Sequence, residues 1–173
     1  MGNKLQTQTM IKACAWTMFL EQGFEATTTR QIAKKLNIGN GTVFSHFKSK
    51  GDILISLFDE HASDLIHQAK STNQQHSARL TLRHYATYLY PFYFEHKALS
   101  IQYFSLLILN GFKLSNHLKL LEHEIYQGQP FQKAKAPILI DSFVMTAIDS
   151  FHSPSDDVNS TLRVLSNKLQ QIS

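Results

Sequence analysis

TTTRQIAKKLNIGNGTVFSHFKSK, residues 27–50, spells two short helices joined by a tight turn. Thr28 followed three residues later by Gln31 predicts a capping box, in which each side chain satisfies the other's orphan amide, so a helix starts near Thr29. Ile32, Ala33 and Leu36 then share one face at helical spacing, and Arg30, Lys34 and Lys35 fall elsewhere. Asn37 supplies the left-handed residue that commonly ends a helix. Ile38 and Val43 occupy staple positions around an N-cap at Gly39, and Val43 and Phe47 lie one turn apart on the buried side. The second helix is about two turns long. Its outward residues, Asn40, Gly41, Thr42, Phe44, Ser45 and His46, are small or polar except for one aromatic. Packing alone needs no such face; two helices around a tight turn with a polar outer surface have the shape of a DNA reader.

Upstream, Met10, Ile11, Cys14, Ala15, Met18 and Phe19 recur at intervals of three and four, an amphipathic helix that stops at Gly23, after which Phe24 packs back. Downstream, Ser49 with Asp52 predicts another helix start, and Ile53, Leu54, Leu57, Phe58, Ala62, Leu65 and Ile66 carry the pattern to about Lys70. That rod is ~30 Å long and is the expected mechanical link between the halves. From about Thr7 to Phe58 the chain resembles the TetR family of bacterial transcriptional regulators, through FLEQGFEATT, TRQIAKKL, NGTVFSHF and KSKGDIL in order. Phe44 stands where the family usually has Tyr, Gly39 replaces the usual Ser cap, and Asn40 sits where Lys or a small residue is frequent. The resemblance implies an all-α fold of about nine helices. A helix-turn-helix DNA-binding domain at 1–50 is joined by the long fourth helix to a helical regulatory and dimerisation domain at 51–173.

A chain of 173 residues buries a substantial core. Its 43% hydrophobic and 17% charged residues exclude disorder. The net charge of +4 is unevenly placed: residues 1–50 hold seven Lys or Arg against two Glu, whereas 51–173 hold ten against eleven acids. A basic end favours nucleic acid or an acidic membrane surface, and the motif selects the first. Cys14, the one cysteine, excludes an intrachain disulfide and a Cys-rich zinc site and reads as a small buried hydrophobe. The N-terminus lacks the apolar segment of a secretory signal, and Gln6 breaks the myristoylation pattern. Ala98 to Phe112, the longest charge-free stretch, has 15 residues against the ~20 a spanning helix needs. A cytoplasmic protein without a membrane partner is expected.

The polar loop 71–77, STNQQHS, is the candidate hinge of the second half. Helices are then predicted near 77–92, 95–111, 114–127, 137–152 and 155–171, punctuated by Gly and Pro. In the last two, Leu139, Ile140, Phe143, Val144, Ala147, Ile148 and Phe151 form a stripe too broad for one neighbour. Val158, Leu162, Leu165, Leu169 and Ile172 repeat as four, three, four, three, a bundle seam. In the resembled family the last helix pair forms a four-helix interface with its twin, which implies a homodimer through Leu139, Phe143, Ala147, Phe151, Val158, Leu162, Leu165 and Leu169; intrachain core is the alternative for the same residues. YATYLYPFYF, residues 85–94, holds six aromatics. Tyr85, Tyr88, Phe92, Tyr103, Phe104, Leu107 and Phe143 read either as core or as the lining of an apolar ligand pocket with polar tips. The resemblance implies an inducer or co-repressor there, and the aromatics favour an apolar or flat molecule.

Nine histidines raise the question of a metal, with His61 near Asp64 and a Glu122, His123, Glu124 cluster, but no HExxH or comparable ligand set exists. No phosphate-cradling loop or nucleophile with its base is assembled by any local pattern, so neither an enzyme nor a cofactor is expected. The expected function is a dimeric repressor acting on a double-stranded DNA operator and released by a small ligand. Asn40, Thr42, Ser45 and His46 would meet base edges, and Thr28, Arg30, Lys48 and Lys50 would hold phosphates. The alternative is a dimeric interaction module of the same fold with weak DNA binding, acting through a protein partner.

Overall fold

The structure is a computed structural model and describes residues 2–111, 115–126, 135–153 and 157–172. Among these, nine helices and no strand are present: α1 Gly2–Gln22, α2 Thr29–Lys35, α3 Asn40–His46, α4 Lys50–Thr72, α5 Ala78–Glu95, α6 Lys97–Leu109, α7 Asn116–Tyr126, α8 Ala136–His152 and α9 Val158–Gln170. The all-α expectation holds. Ser155, placed at a helix start by its sequence, lies outside the described residues; Asp157 makes the N-cap of α9 instead, accepting from Ser160 N at 2.7 Å.

The chain forms two compact units, Met1–Asp59 with Gln102–Leu114, and Glu60–Ile101 with Ser115–Ser173. In the first, α1 ends at Gly23, whose φ of +86° a side chain would resist. Phe24 then returns to lie 5.3 Å from Phe19, ring to ring. Thr27, fully buried, donates its hydroxyl to the Gly23 carbonyl at 2.8 Å and so closes the loop. Thr28 and Gln31 complete the capping box: Gln31 N reaches Thr28 Oγ1 at 3.2 Å and Thr28 N reaches Gln31 Oε1 at 2.8 Å. Asn37, at φ 53°, makes the left-handed turn. Ile11, Ala15, Phe19, Ile32, Ala33, Val43 and Phe47 form the core on which α1, α2 and α3 close.

Residues 51–59 and 102–109 group with this unit rather than with the second domain expected from 51 onward. The reason is packing that crosses long sequence distances: Phe58 stacks on Tyr103 at 4.5 Å and 10°, and Leu106 sits so close to Gly51 that a Cβ there would come within 3.3 Å of it. Such contacts leave no periodic signal. Both α4 and α6 therefore contribute residues to each unit.

In the second unit α5 packs on α7, α8 and α9, and α8 on α7 and α9. Its helix continues to Glu95, beyond the end expected near 92. Pro91 lies within it, yet Pro91 and Thr87 are both exposed, so the carbonyl that loses its donor faces water. Tyr90 and Phe143 stack at 4.9 Å in the core, and Tyr90 donates its hydroxyl to the Phe143 carbonyl at 2.9 Å. No helix of the described residues is long and apolar enough to cross a membrane.

Candidate DNA-reading surface

The short helix α3 owes its position to two anchors, Val43 and Phe47, both buried. With those turned inward, Gly41, Thr42, Phe44 and Ser45 are exposed, and Asn40 and His46 are half-buried. Phe44, 42% exposed, puts an apolar ring on an otherwise polar surface. Ser45 spends its hydrogen on the Thr42 carbonyl at 2.7 Å, which leaves its oxygen to act outward as an acceptor. Asn40 Oδ1 is buried and lacks a hydrogen-bond partner. Neither feature is legible in the sequence, because both depend on rotamers.

Basic side chains surround this face with unequal freedom. Arg30, Lys34 and Lys48 are exposed and form no ion pair among the described residues. Lys35 lies 3.6 Å from Glu21, both largely in water. Lys50, expected among the phosphate contacts, is turned into the fold. Its Nζ donates to the carbonyls of Phe24 at 2.8 Å and Glu25 at 3.2 Å, lies 3.5 Å from the Glu25 carboxylate and stands 4.3 Å from the Phe24 ring centroid. The loop after Gly23 turns the carbonyls of Phe24, which also accepts from Thr27 N at 3.3 Å, and of Glu25 toward the first residue of α4, whose cation reaches both. Thr28 likewise commits its hydroxyl to Gln31, at 3.0 Å, inside the capping box.

The residues expected to line a ligand site divide between the units. Tyr103, Phe104 and Leu107 are buried in the first. In the second, Tyr85 is fully buried with its hydroxyl 3.4 Å from Glu124 Oε2, and burial with the neighbouring carboxylate pushes its phenol pKa up strongly. Tyr88, half-buried, shares a hydrogen bond with Thr72 at 2.8 Å. Phe92 lies against His96 and His61, at 5.1 and 5.7 Å between rings. Glu124, which its sequence places in a possible metal cluster, is buried and meets Lys70 Nζ at 2.8 Å. Among the described residues no three His, Cys, Asp or Glu gather to hold a metal.

Of the eight residues expected at a dimer interface, Leu139, Phe143, Ala147, Phe151, Leu165 and Leu169 are buried within the single chain, and only Val158 and Leu162 are half-exposed. The seam of α9 packs against α5 and α8, which takes up the strongest apolar positions. The outward face of the pair carries Ile138, Met145 and Val164 instead, at 52%, 45% and 42% exposure. The breadth of the α8 stripe was the sequence signal that some apolar residues would remain outside.

The sequence profile described as "Bacterial regulatory proteins, tetR family" matches residues 11–57, a span that runs from α1 through α3 into α4. The chain is 34% identical over 58 residues to YvkB of Bacillus subtilis, an HTH-type transcriptional regulator, a match covering 34% of this chain and 31% of that one. It is 30% identical over 96 residues to the HTH-type transcriptional regulator SAB2452 of Staphylococcus aureus, covering 55% and 52%. The matches thus span about half or less of the curated relatives. The fold is similar to that of Thermus thermophilus FadR, a TetR family transcriptional repressor solved in complex with lauroyl-CoA, with TM-score 0.79, 21% identity and 95% and 93% of the two chains covered. It is also similar to the fatty acid degradation regulator FadR of Bacillus halodurans, with TM-score 0.61, 16% identity and 94% and 93% covered. Residues 11–57, from α1 into α4, match the DNA-binding segment of the TetR family of bacterial regulatory proteins, and the fold is similar to that of solved members of that family.

Proposed function

We propose that the protein is a homodimeric repressor that sets α3 of each subunit in the major groove of an operator and leaves it when a small, largely apolar ligand binds the second unit. The observation that carries this reading is the exposed, neutral face of α3 flanked by Arg30, Lys34 and Lys48, which form no ion pair among the described residues. Cations at the edges grip phosphates and give affinity, and the neutral helix between them meets base edges. One such module buries too little for specificity, so two copies with half-sites about 34 Å apart are required. The outward apolar side chains Ile138, Met145 and Val164 are the surface we assign to the second copy. Lauroyl-CoA in Thermus thermophilus FadR supports an apolar effector class. A ligand acts only through a difference in affinity between DNA-competent and incompetent states, and α4 and α6, which belong to both units, are the elements to carry it.

Fluorescence anisotropy on duplexes flanking the protein's own gene, against random duplex, tests the reading. Specific binding at physiological salt, at least roughly a thousand-fold tighter than random DNA, is expected. His46→Ala should change sequence preference; equal loss on operator and random DNA would remove His46 from base reading. The exposed Phe44 ring favours a second reading, an interaction module that contacts a protein through this face. Equal, weak binding to all duplexes would select it.

A further inference from the structure

The groove between the start of α5 and the end of α9 belongs to nothing assigned above. It encloses about 450 Å3 and is lined by Ser77, Arg79, Leu80, Arg83, Ser166 and Leu169, with no acid on its walls. That volume lies within the range of small-molecule sites, ~300–1,000 Å3. Both arginines are exposed, and neither forms an ion pair among the described residues. Four residues apart on α5, they share one face, where like charges repel unless an anion joins them.

Their tethers are slight. Arg83 donates from Nε to Ser166 Oγ at 2.8 Å, and Ser166 in turn donates to the Leu162 carbonyl at 2.7 Å. That bond holds the guanidinium by one nitrogen and leaves its terminal pair without a protein acceptor among the described residues. Arg79 reaches the Leu169 carbonyl from Nη1 at 3.4 Å. Capping of α9 explains that single long bond. It explains neither the second arginine nor an acid-free groove of this size. Lys168 of α9 pairs with Asp149 of α8 at 3.3 Å. Ser166, two residues away, therefore sits about 200° around the helix, on the flank turned from α8. The groove is thus distinct from the outward face of α8.

We propose that this groove binds a soluble organic phosphate, with the dianionic head between Arg79 and Arg83 and the carbon body over Leu80. Two guanidinium forks with the Ser77 hydroxyl at the rim match a dianion with three acceptor oxygens, whereas a carboxylate is satisfied by one fork. Leu80, 51% exposed, offers apolar surface beside the charges. The site stands independently of the DNA-binding reading.

Isothermal titration of the full chain with octyl phosphate tests it. Saturable binding of one molecule per chain is expected, with octanoate weaker by roughly ten-fold and Arg79→Gln and Arg83→Gln each weakening octyl phosphate by roughly ten-fold. Leu80→Glu, which brings a carboxylate to the rim without removing a side-chain hydrogen bond, should weaken it similarly while circular dichroism stays unchanged. Absent binding, octanoate binding as tightly as octyl phosphate, or affinity unchanged in Leu80→Glu, overturns the proposal. Sedimentation with phosphatidic acid vesicles in the absence of octyl phosphate binding overturns the soluble source.

Discussion

Replacing Lys50 by Met separates a clamp from a phosphate contact, because the stem is kept and only the cation is lost. The nitrogen makes two hydrogen bonds to carbonyls, at 2.8 and 3.2 Å, and a ring contact at 4.3 Å. Its ion pair with Glu25 adds little, since that carboxylate is 76% exposed. A hydrogen bond from a charged donor contributes about 1.5 kcal/mol at the lower end, and a partly exposed cation over a ring about 0.5–1 kcal/mol. With the Lys50 side chain 27% exposed, the lower values apply, and allowing for the overlap of these terms the loss comes to about 2–3 kcal/mol. For a chain of this length that is a fall in Tm of roughly 5–10 °C. Lys48→Ala is the control: Lys48 is exposed and forms no ion pair among the described residues. Its Tm should move by about 1 °C at most, while the slope of log K against log salt for operator binding falls by about one unit. Differential scanning fluorimetry and anisotropy between 50 and 300 mM salt read both quantities. If Lys50→Met keeps the parental Tm and loses a unit of salt slope, Lys50 grips DNA and the clamp is wrong.

Gly41→Ala places its Cβ where nothing lies within 4 Å, so helix propensity should raise stability by about 1 kcal/mol in urea titration, and a decrease would mean that the first turn of α3 is strained. Met145→Glu should yield folded monomers in sedimentation velocity, whereas Ala147→Glu, at a buried position, should not fold; a folded Met145→Glu dimer removes Met145 from the interface. Burial raises the Tyr90 phenol pKa well above its ordinary value of 10.0, so the stabilisation is complete below pH 10 and is lost as pH rises from there toward the folded pKa. Urea midpoints should therefore fall above pH 10, less steeply in Tyr90→Phe; parallel profiles would show that Tyr90 does not drive the loss. Asn40→Ala removes a buried acceptor with no partner, so Tm should hold or rise while discrimination at one base pair falls by about 1–3 kcal/mol; a lower Tm with unchanged preference would place Asn40 in the fold.

What the sequence made legible was local. The capping box at Thr28, the left-handed Asn37 and the glycine stop at Gly23 depend on residues within a few positions of one another, and each appears at the expected place. Period gave the inward face of α2 and α3 because a helix repeats its environment. What it left out lies at long range. Nothing near Lys50 announces that the carbonyls of Phe24 and Glu25 will lie beside it. The seam of α9 was correctly apolar, but apolarity does not say which neighbour covers it, and the covering helices came from the same chain. Tyr103, Phe104 and Leu107 were grouped with Tyr85 by nearness in sequence, and the stack of Tyr103 on Phe58 assigns them to the other unit.

The reading helix is stabilised chiefly by what it rests on. Helix α3 has seven residues, a glycine N-cap without a side-chain bond and a second glycine in its first turn. A helix so short and so poorly capped does not persist alone in water. Val43 and Phe47 hold it from beneath, and the turn at Asn37 with the Ile38 to Ala33 hydrogen bond, 3.0 Å, sets its angle to α2. The outward residues are thereby free of structural duty: Ser45 can present an acceptor, and Asn40 can keep an unpaired one, because neither is needed to form the helix. That division follows from the charge pattern as well. Cations on α3 itself would grip every phosphate alike; under the proposed function affinity would sit on Arg30, Lys34 and Lys48 at its flanks, and discrimination would be left to a surface whose members make weak, directional bonds.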